Sequence, residues 1–307
     1  MPPALHAWQL TLARIDGALA FAPKKVHDAL AQRSLRRLWA AHVRDYPFEN
    51  IGLEHNPGIE AGELMRSWYS VERQAFLSWI TRRAPPPLAE AAALALTAKQ
   101  AGESWSGAFE DAERALRQLE TRLPSPDPTA TLIELVQALR TEEVAFLEEA
   151  FEIGLGGGHA FDRPAPKGAA WAASLAAAMR PQLFGLGAAP LALAGLMPRE
   201  LFRAEPERGA DEVLEAALTQ ATAALAGDLT QIQQLLARGG ERLADLYASS
   251  RAPDAWALLV GLGPLTRAEL ARALAVTART ASQAAAALER LGLISRRRSD
   301  GALIIEA

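Results

Sequence analysis

Two short stretches near the C-terminus carry the residue types with the sharpest chemistry. Thr277, Arg279, Thr280, Ser282 and Gln283 gather hydroxyl, guanidinium and amide groups within seven positions. Arg296, Arg297 and Arg298 stand together just ahead of Ser299-Asp300-Gly301. A guanidinium can hold guanine O6 and N7, or two phosphate oxygens, through paired hydrogen bonds; a glutamine amide matches the adenine edge, and a hydroxyl serves a phosphate. Such groups discriminate one edge from another only when a rigid element presents them together. The surrounding sequence has to supply that mount.

It does so in order. Ala255 to Val260 is an apolar helical run ending at Gly261. Thr266-Arg267-Ala268-Glu269 has capping-box spacing, so a second helix starts there, with Leu270 and Leu274 on its buried side. Val276 then supplies an apolar plug, and Thr277 caps a third helix that carries Leu288 and Leu291 and stops at Gly292. Its early residues are polar and its late ones apolar. Leu293-Ile294-Ser295-Arg296-Arg297 and Ala302-Leu303-Ile304-Ile305 read as two strands around Arg298-Ser299-Asp300-Gly301, where Asp-Gly is a strong hairpin signal.

Helix, helix-turn-helix and basic hairpin in this order, over Asp254 to Ala307, resemble the winged helix-turn-helix family of bacterial DNA-binding proteins. The resemblance implies that Arg279, Thr280, Ser282 and Gln283 contact base edges in the major groove, and that Thr277, Arg296, Arg297 and Arg298 hold phosphates or a minor groove. The alternatives are a solvated turn for the three arginines and ordinary surface polarity for Gln283.

Charge agrees in sign and is small in size. The stretch from Asp254 holds seven basic and five acidic residues, a net of +2, so the upstream residues carry −6 of the total −4. That asymmetry puts the positive field on the small C-terminal part. One copy offers few phosphate contacts, so a homodimer on a two-fold-related duplex site is the expectation.

Upstream, His159-Ala160-Phe161 resembles the start of the Fic-family motif, H-P-F-x-[DE]-G-N-G-R. Asp162-Arg163-Pro164 follows, with no Gly-Asn-Gly anion hole, so a divergent or inactive Fic-like nucleotidyl transferase is an alternative without its phosphate site. The glycines from Gly154 to Gly158 lack the Lys-Ser/Thr of a P-loop and read as the stop of a long helix begun at Thr131. A further helical stretch over Asp211–Tyr247 reads as interrupted by Gly227 and by Gly239-Gly240. His6, His27, His42, His55 and His159 are scattered, and Glu142, Glu143, Glu148 and Glu149 read as a solvated face; no metal, cofactor or catalytic residue is expected. One loop does concentrate binding chemistry: Tyr46, Glu49, Asn50 and His55, with Trp68, form a candidate ligand pocket, the alternative being an irregular connection pinned by aromatics.

Composition sets the frame. The 307 residues include 66 Ala, no Cys, and only 3 Tyr and 9 Phe. Alanine and leucine favour helix over pleated sheet, and the absence of thiols excludes disulfides, zinc–cysteine sites and cysteine nucleophiles. The expected fold is mostly α: a large all-α helical domain over 1–250, with a sub-boundary near 123–129, then a winged helix-turn-helix with a two-stranded β wing over 251–307. No targeting segment is visible, and Leu183 to Met197 is too short and glycine-rich to span a bilayer, so a cytoplasmic protein without a membrane partner is expected. The function these readings favour is a transcriptional regulator binding double-stranded DNA, its helical part dimerising or sensing an unidentified effector. The runner-up is an assembly subunit that uses the same fold for protein contacts.

Overall fold

The structure, a computed structural model, describes residues 6–45, 73–102, 109–142, 151–156, 159–164, 168–185, 196–202, 208–246 and 249–306. Helix α1 (Ala7–Ala20) buries Trp8, Leu12, Ile15 and Leu19, the stripe its spacing predicts. Next come α2 (Lys24–Asp45), a helical segment α3 (73–83) and α4 (Pro86–Lys99). The three prolines do two jobs here. Pro85 is the N-cap of α4 and the next two occupy its first turn, where a missing N–H costs nothing, so they both stop α3 and start α4.

Helices α5 (Phe109–Glu120) and α6 (Pro128–Glu142) lead to α7 (Gly168–Ala178), in which every residue from Ala170 onward is buried. Alanine makes this possible: with six alanines among those nine residues, backbones approach closely, and α7 packs tightly on α5. Ser174, inside that helix, accepts the Met197 N–H at 2.9 Å and so satisfies its buried hydroxyl oxygen. No helix among the described residues is long and apolar enough to cross a membrane.

Two expectations need correction. The glycine run is not a helix stop. Phe151–Gly156 (β1) and His159–Pro164 (β2) pair as an antiparallel hairpin, Phe151 opposite Pro164 and Gly156 opposite His159, so the region before 250 is not purely helical. Phe151, Ile153 and Leu155 alternate with Glu152, Gly154 and Gly156, a period of two that competes with the helical reading carried over from α6. Second, α8 (Ala210–Arg242) runs unbroken through Gly227, Gly239 and Gly240, where interruptions were expected. A Cβ on Gly239 would overlap the Trp256 indole, so that glycine serves close packing.

The C-terminal part follows the expected order: α9 (Ala252–Leu262), α10 (Arg267–Ala273), α11 (Ala278–Arg290), then an antiparallel pair β3 (Ile294–Arg296) and β4 (Leu303–Ile305). It shares one continuous hydrophobic core with the preceding helices. Trp256 Nε1 donates to the Leu235 carbonyl of α8 at 2.9 Å, Arg33 of α2 donates to the Val260 carbonyl at 3.4 Å, and Arg272 of α10 donates to the Ala98 carbonyl of α4 at 2.8 Å. Lys99 is ion-paired with Glu269. Beneath this joint Arg33 and Arg37 both meet the buried carboxylate of Asp228, tying α2 to α8. The C-terminal elements are therefore docked on the helical body through α9 and α10.

Candidate nucleic-acid interface

The turn between α10 and α11 sets where the polar residues point. Thr266 and Glu269 form the expected capping box: the Thr266 N–H donates to the glutamate at 2.8 Å and the Glu269 N–H donates to the threonine hydroxyl at 3.3 Å. The end of α10 is a Schellman motif, in which the Val276 N–H donates to the Ala271 carbonyl at 3.0 Å and the Ala275 N–H to the Arg272 carbonyl at 3.1 Å. Ala275 holds the left-handed conformation at φ 51°, where glycine is the unstrained choice. Val276 packs against the core as the expected plug.

Thr277 is the N-cap of α11, its hydroxyl accepting the Thr280 N–H at 3.2 Å and sharing a hydrogen bond with the Thr280 hydroxyl at 2.9 Å. Ala281, Ala284, Ala285 and Leu288 face the core. Arg279, Gln283 and Arg290 lie on the opposite, exposed face, with Ser282 and Thr280 half-buried at its edges. At about 100° per residue, positions 279, 282, 283 and 290 fall within roughly one quarter of the circumference, a single solvent-facing stripe. Among the described residues Arg279 makes no ion pair.

The hairpin is pinned beside that helix. Arg296 of β3 donates Nε to Glu289 of α11 at 2.7 Å, and Arg267 at the start of α10 donates to the same carboxylate at 3.3 Å. The hydrogen bond from Arg296 comes first, and the nearby charges of Arg296 and Arg267 add to it; burial opposes them, yet the Glu289 carboxyl is held below its ordinary range. At the hairpin tip Arg297 grips Asp300 with two hydrogen bonds, 2.9 and 2.5 Å, and pulls its carboxyl down to about 2, aided by the Ala302 N–H. Gly301 takes φ +69° to close the turn. Of the three arginines expected to meet phosphate, Arg296 and Arg297 are thus engaged within the hairpin region, and Arg298 is exposed without an ion pair among the described residues.

The pocket residues Tyr46, Glu49, Asn50, His55 and Trp68 lie outside the described residues. His159 opens β2, paired with Gly156. One buried group escaped sequence reasoning. His42 is 1% exposed and sits among Trp39, Phe76, Phe109 and Trp171, with ring centres 5.2 to 5.9 Å away. Trp171 Nε1 donates to its Nδ1 at 2.9 Å, which fixes that nitrogen as an acceptor. Trp39 and His42 stand three apart on one helix, the signal that could have marked the pair.

No family model and no curated protein matches this chain.

Proposed function

We propose that this protein is a DNA-binding transcriptional regulator in which α10 and α11 form a helix-turn-helix, α11 is the recognition helix and the β3–β4 hairpin is the wing. One observation carries the reading: the first two turns of α11 are capped, project Arg279 and Gln283 into solvent, and are backed by a fully apolar face, with an arginine-bearing hairpin fastened alongside through Glu289. Arg279 and Gln283 read base edges; Thr277 and Arg298 contact phosphate. Since one copy brings few unpaired cations to the duplex, two copies bind together, and the docking of α9 on α2 and α8 makes the helical body set the spacing of the two recognition helices.

Fluorescence anisotropy with random duplex DNA, then with a sequence selected by the protein from a random pool, tests this. Arg279→Ala is expected to weaken the selected site by about 1–3 kcal/mol and relax its sequence preference. Arg298→Ala is expected to weaken all sequences alike and to reduce the slope of log affinity against log salt by about 1. No duplex binding at low salt sinks the proposal.

The internal pairing of Arg296 and Arg297 favours one second reading, an assembly subunit that presents the same stripe to a protein. A partner chain co-purifying in fixed ratio, with no affinity for duplex, would support it.

A further inference from the structure

Where the helical body meets the C-terminal elements, a cavity of about 70 Å³ opens between α2, α3, α4 and the α9–α10 connection. Its charged rim is Arg36, Arg73 and Lys99, and its walls are apolar, including Trp39, Pro264 and Leu265. The Arg73 guanidinium lies 5.8 Å from the centre of the Trp39 ring. Arg36 has no hydrogen-bond or ion-pair partner among the described residues, and its guanidinium packs on Gly263, where a Cβ would come within 2.6 Å of Cζ and where the φ of +81° favours glycine. Lys99 is shared with Glu269. Three cations thus line the cavity with Glu269 as the carboxylate bonded to one of them, Asp228 acting on Arg36 from farther off; burial, with the neighbouring Arg33 and Arg73 charges, lowers the proton affinity of Arg36, and burial lowers that of Arg73.

The cavity wall is mechanically connected to the DNA-reading elements. The Leu265 carbonyl accepts the Leu303 N–H of β4 at 2.8 Å, an isolated antiparallel bridge that ties this lining residue to the hairpin. The next residue, Thr266, caps α10, and Glu269 of that capping box is the partner of Lys99.

We propose that this cavity binds the head group of a small oxyanion, a carboxylate or phosphate monoester, held by Arg36 and Arg73, with any apolar substituent projecting from the mouth past Trp39 because about 70 Å³ admits the head group alone. An oxyanion there supplies negative charge to Arg36 and Arg73, competes with Glu269 for Lys99, and so alters how α10 and β4 are held. That second consequence rests on the DNA-binding reading; the site itself does not.

Titration calorimetry of the full chain with phenyl phosphate, benzoate and inorganic phosphate tests it. Phenyl phosphate or benzoate is expected to bind about tenfold or more tightly than inorganic phosphate, and which of the two prevails identifies the headgroup. Arg36→Gln and Arg73→Gln are each expected to weaken the tighter probe about tenfold or more, the loss of a charge-assisted pair. Because Arg73 is half-buried, Ala95→Met is the complementary variant: it fills the cavity, leaves every charge in place, and is expected to abolish binding of both aromatic probes while the thermal melt stays cooperative. No measurable binding of either aromatic probe, inorganic phosphate binding equally well, or affinity indifferent to all three substitutions overturns the site. Anisotropy with and without saturating probe then reads the coupling, expected as a change of about threefold or more in DNA affinity. Probe binding with no DNA affinity in either condition keeps the site and removes the DNA-binding reading; unchanged DNA affinity removes the coupling.

Discussion

The carboxylate of Glu289, in the last turn of α11, accepts the Arg296 Nε–H of β3 at 2.7 Å and also faces Arg267 of α10, so one acidic side chain joins the three elements of the proposed DNA-reading unit. It orients the hairpin and also neutralises charge that would otherwise meet phosphate. Glu289→Gln is expected to cost about 0.5–1 kcal/mol of stability, the scale of a partly exposed ion pair. On the DNA-binding proposal it should also raise affinity for random duplex and steepen the salt dependence by about 1–2, since two guanidinia are released. Urea melts and anisotropy over a salt series check both; weaker random-duplex binding would mean that hairpin position, not charge, governs contact.

The Asp300 carboxyl lies well below its ordinary value of 3.8, at about 2, because Arg297 and the Ala302 N–H bond its charged form. A depressed folded value means that the contribution to the turn is complete above the unfolded value and is lost as pH falls through the folded one. The window is therefore between about 4 and 2. Carboxyl titration by NMR should show Asp300 protonating near the lower end. Arg297→Ala should return that midpoint toward 3.8.

Ala275 and Gly292 occupy equivalent places, each the left-handed residue after a helix closed by a Schellman motif, at φ 51° and 62°. Only one of them is glycine. A left-handed alanine costs about 1 kcal/mol, so Ala275→Gly should stabilise the fold by up to about that amount, and Gly292→Ala should destabilise it similarly. Denaturant midpoints at constant m-value are the measurement.

Gly239 and Gly240 are neighbours in α8 with opposite surroundings. A Cβ on Gly239 would strike the Trp256 indole, whose Nε1 bonds Leu235, whereas nothing lies within 4 Å of a Cβ on Gly240. Gly239→Ala should therefore destabilise by about 1–3 kcal/mol through overpacking. Gly240→Ala should stabilise by about 0.5–1 kcal/mol through helix propensity. Equal effects would mean that α9 does not dock on α8 as described.

Much of the architecture was legible in the chain because it is written in local chemistry. The stripe on α1, the capping box at Thr266, the cap at Thr277 and the Asp300-Gly301 turn depend on residues three or four positions apart. Period and capping therefore located those elements, and the polar face of α11 with them. Only the tertiary structure decided what depends on residues far apart in sequence: that Gly239 is kept small by Trp256, that Glu289 occupies two of the arginines, and that Arg36, Arg73 and Lys99 converge beside Leu265. Composition and periodicity report which face of a helix is apolar; which other helix covers it, and which charges meet across the seam, is fixed by packing among elements that the sequence does not place next to one another.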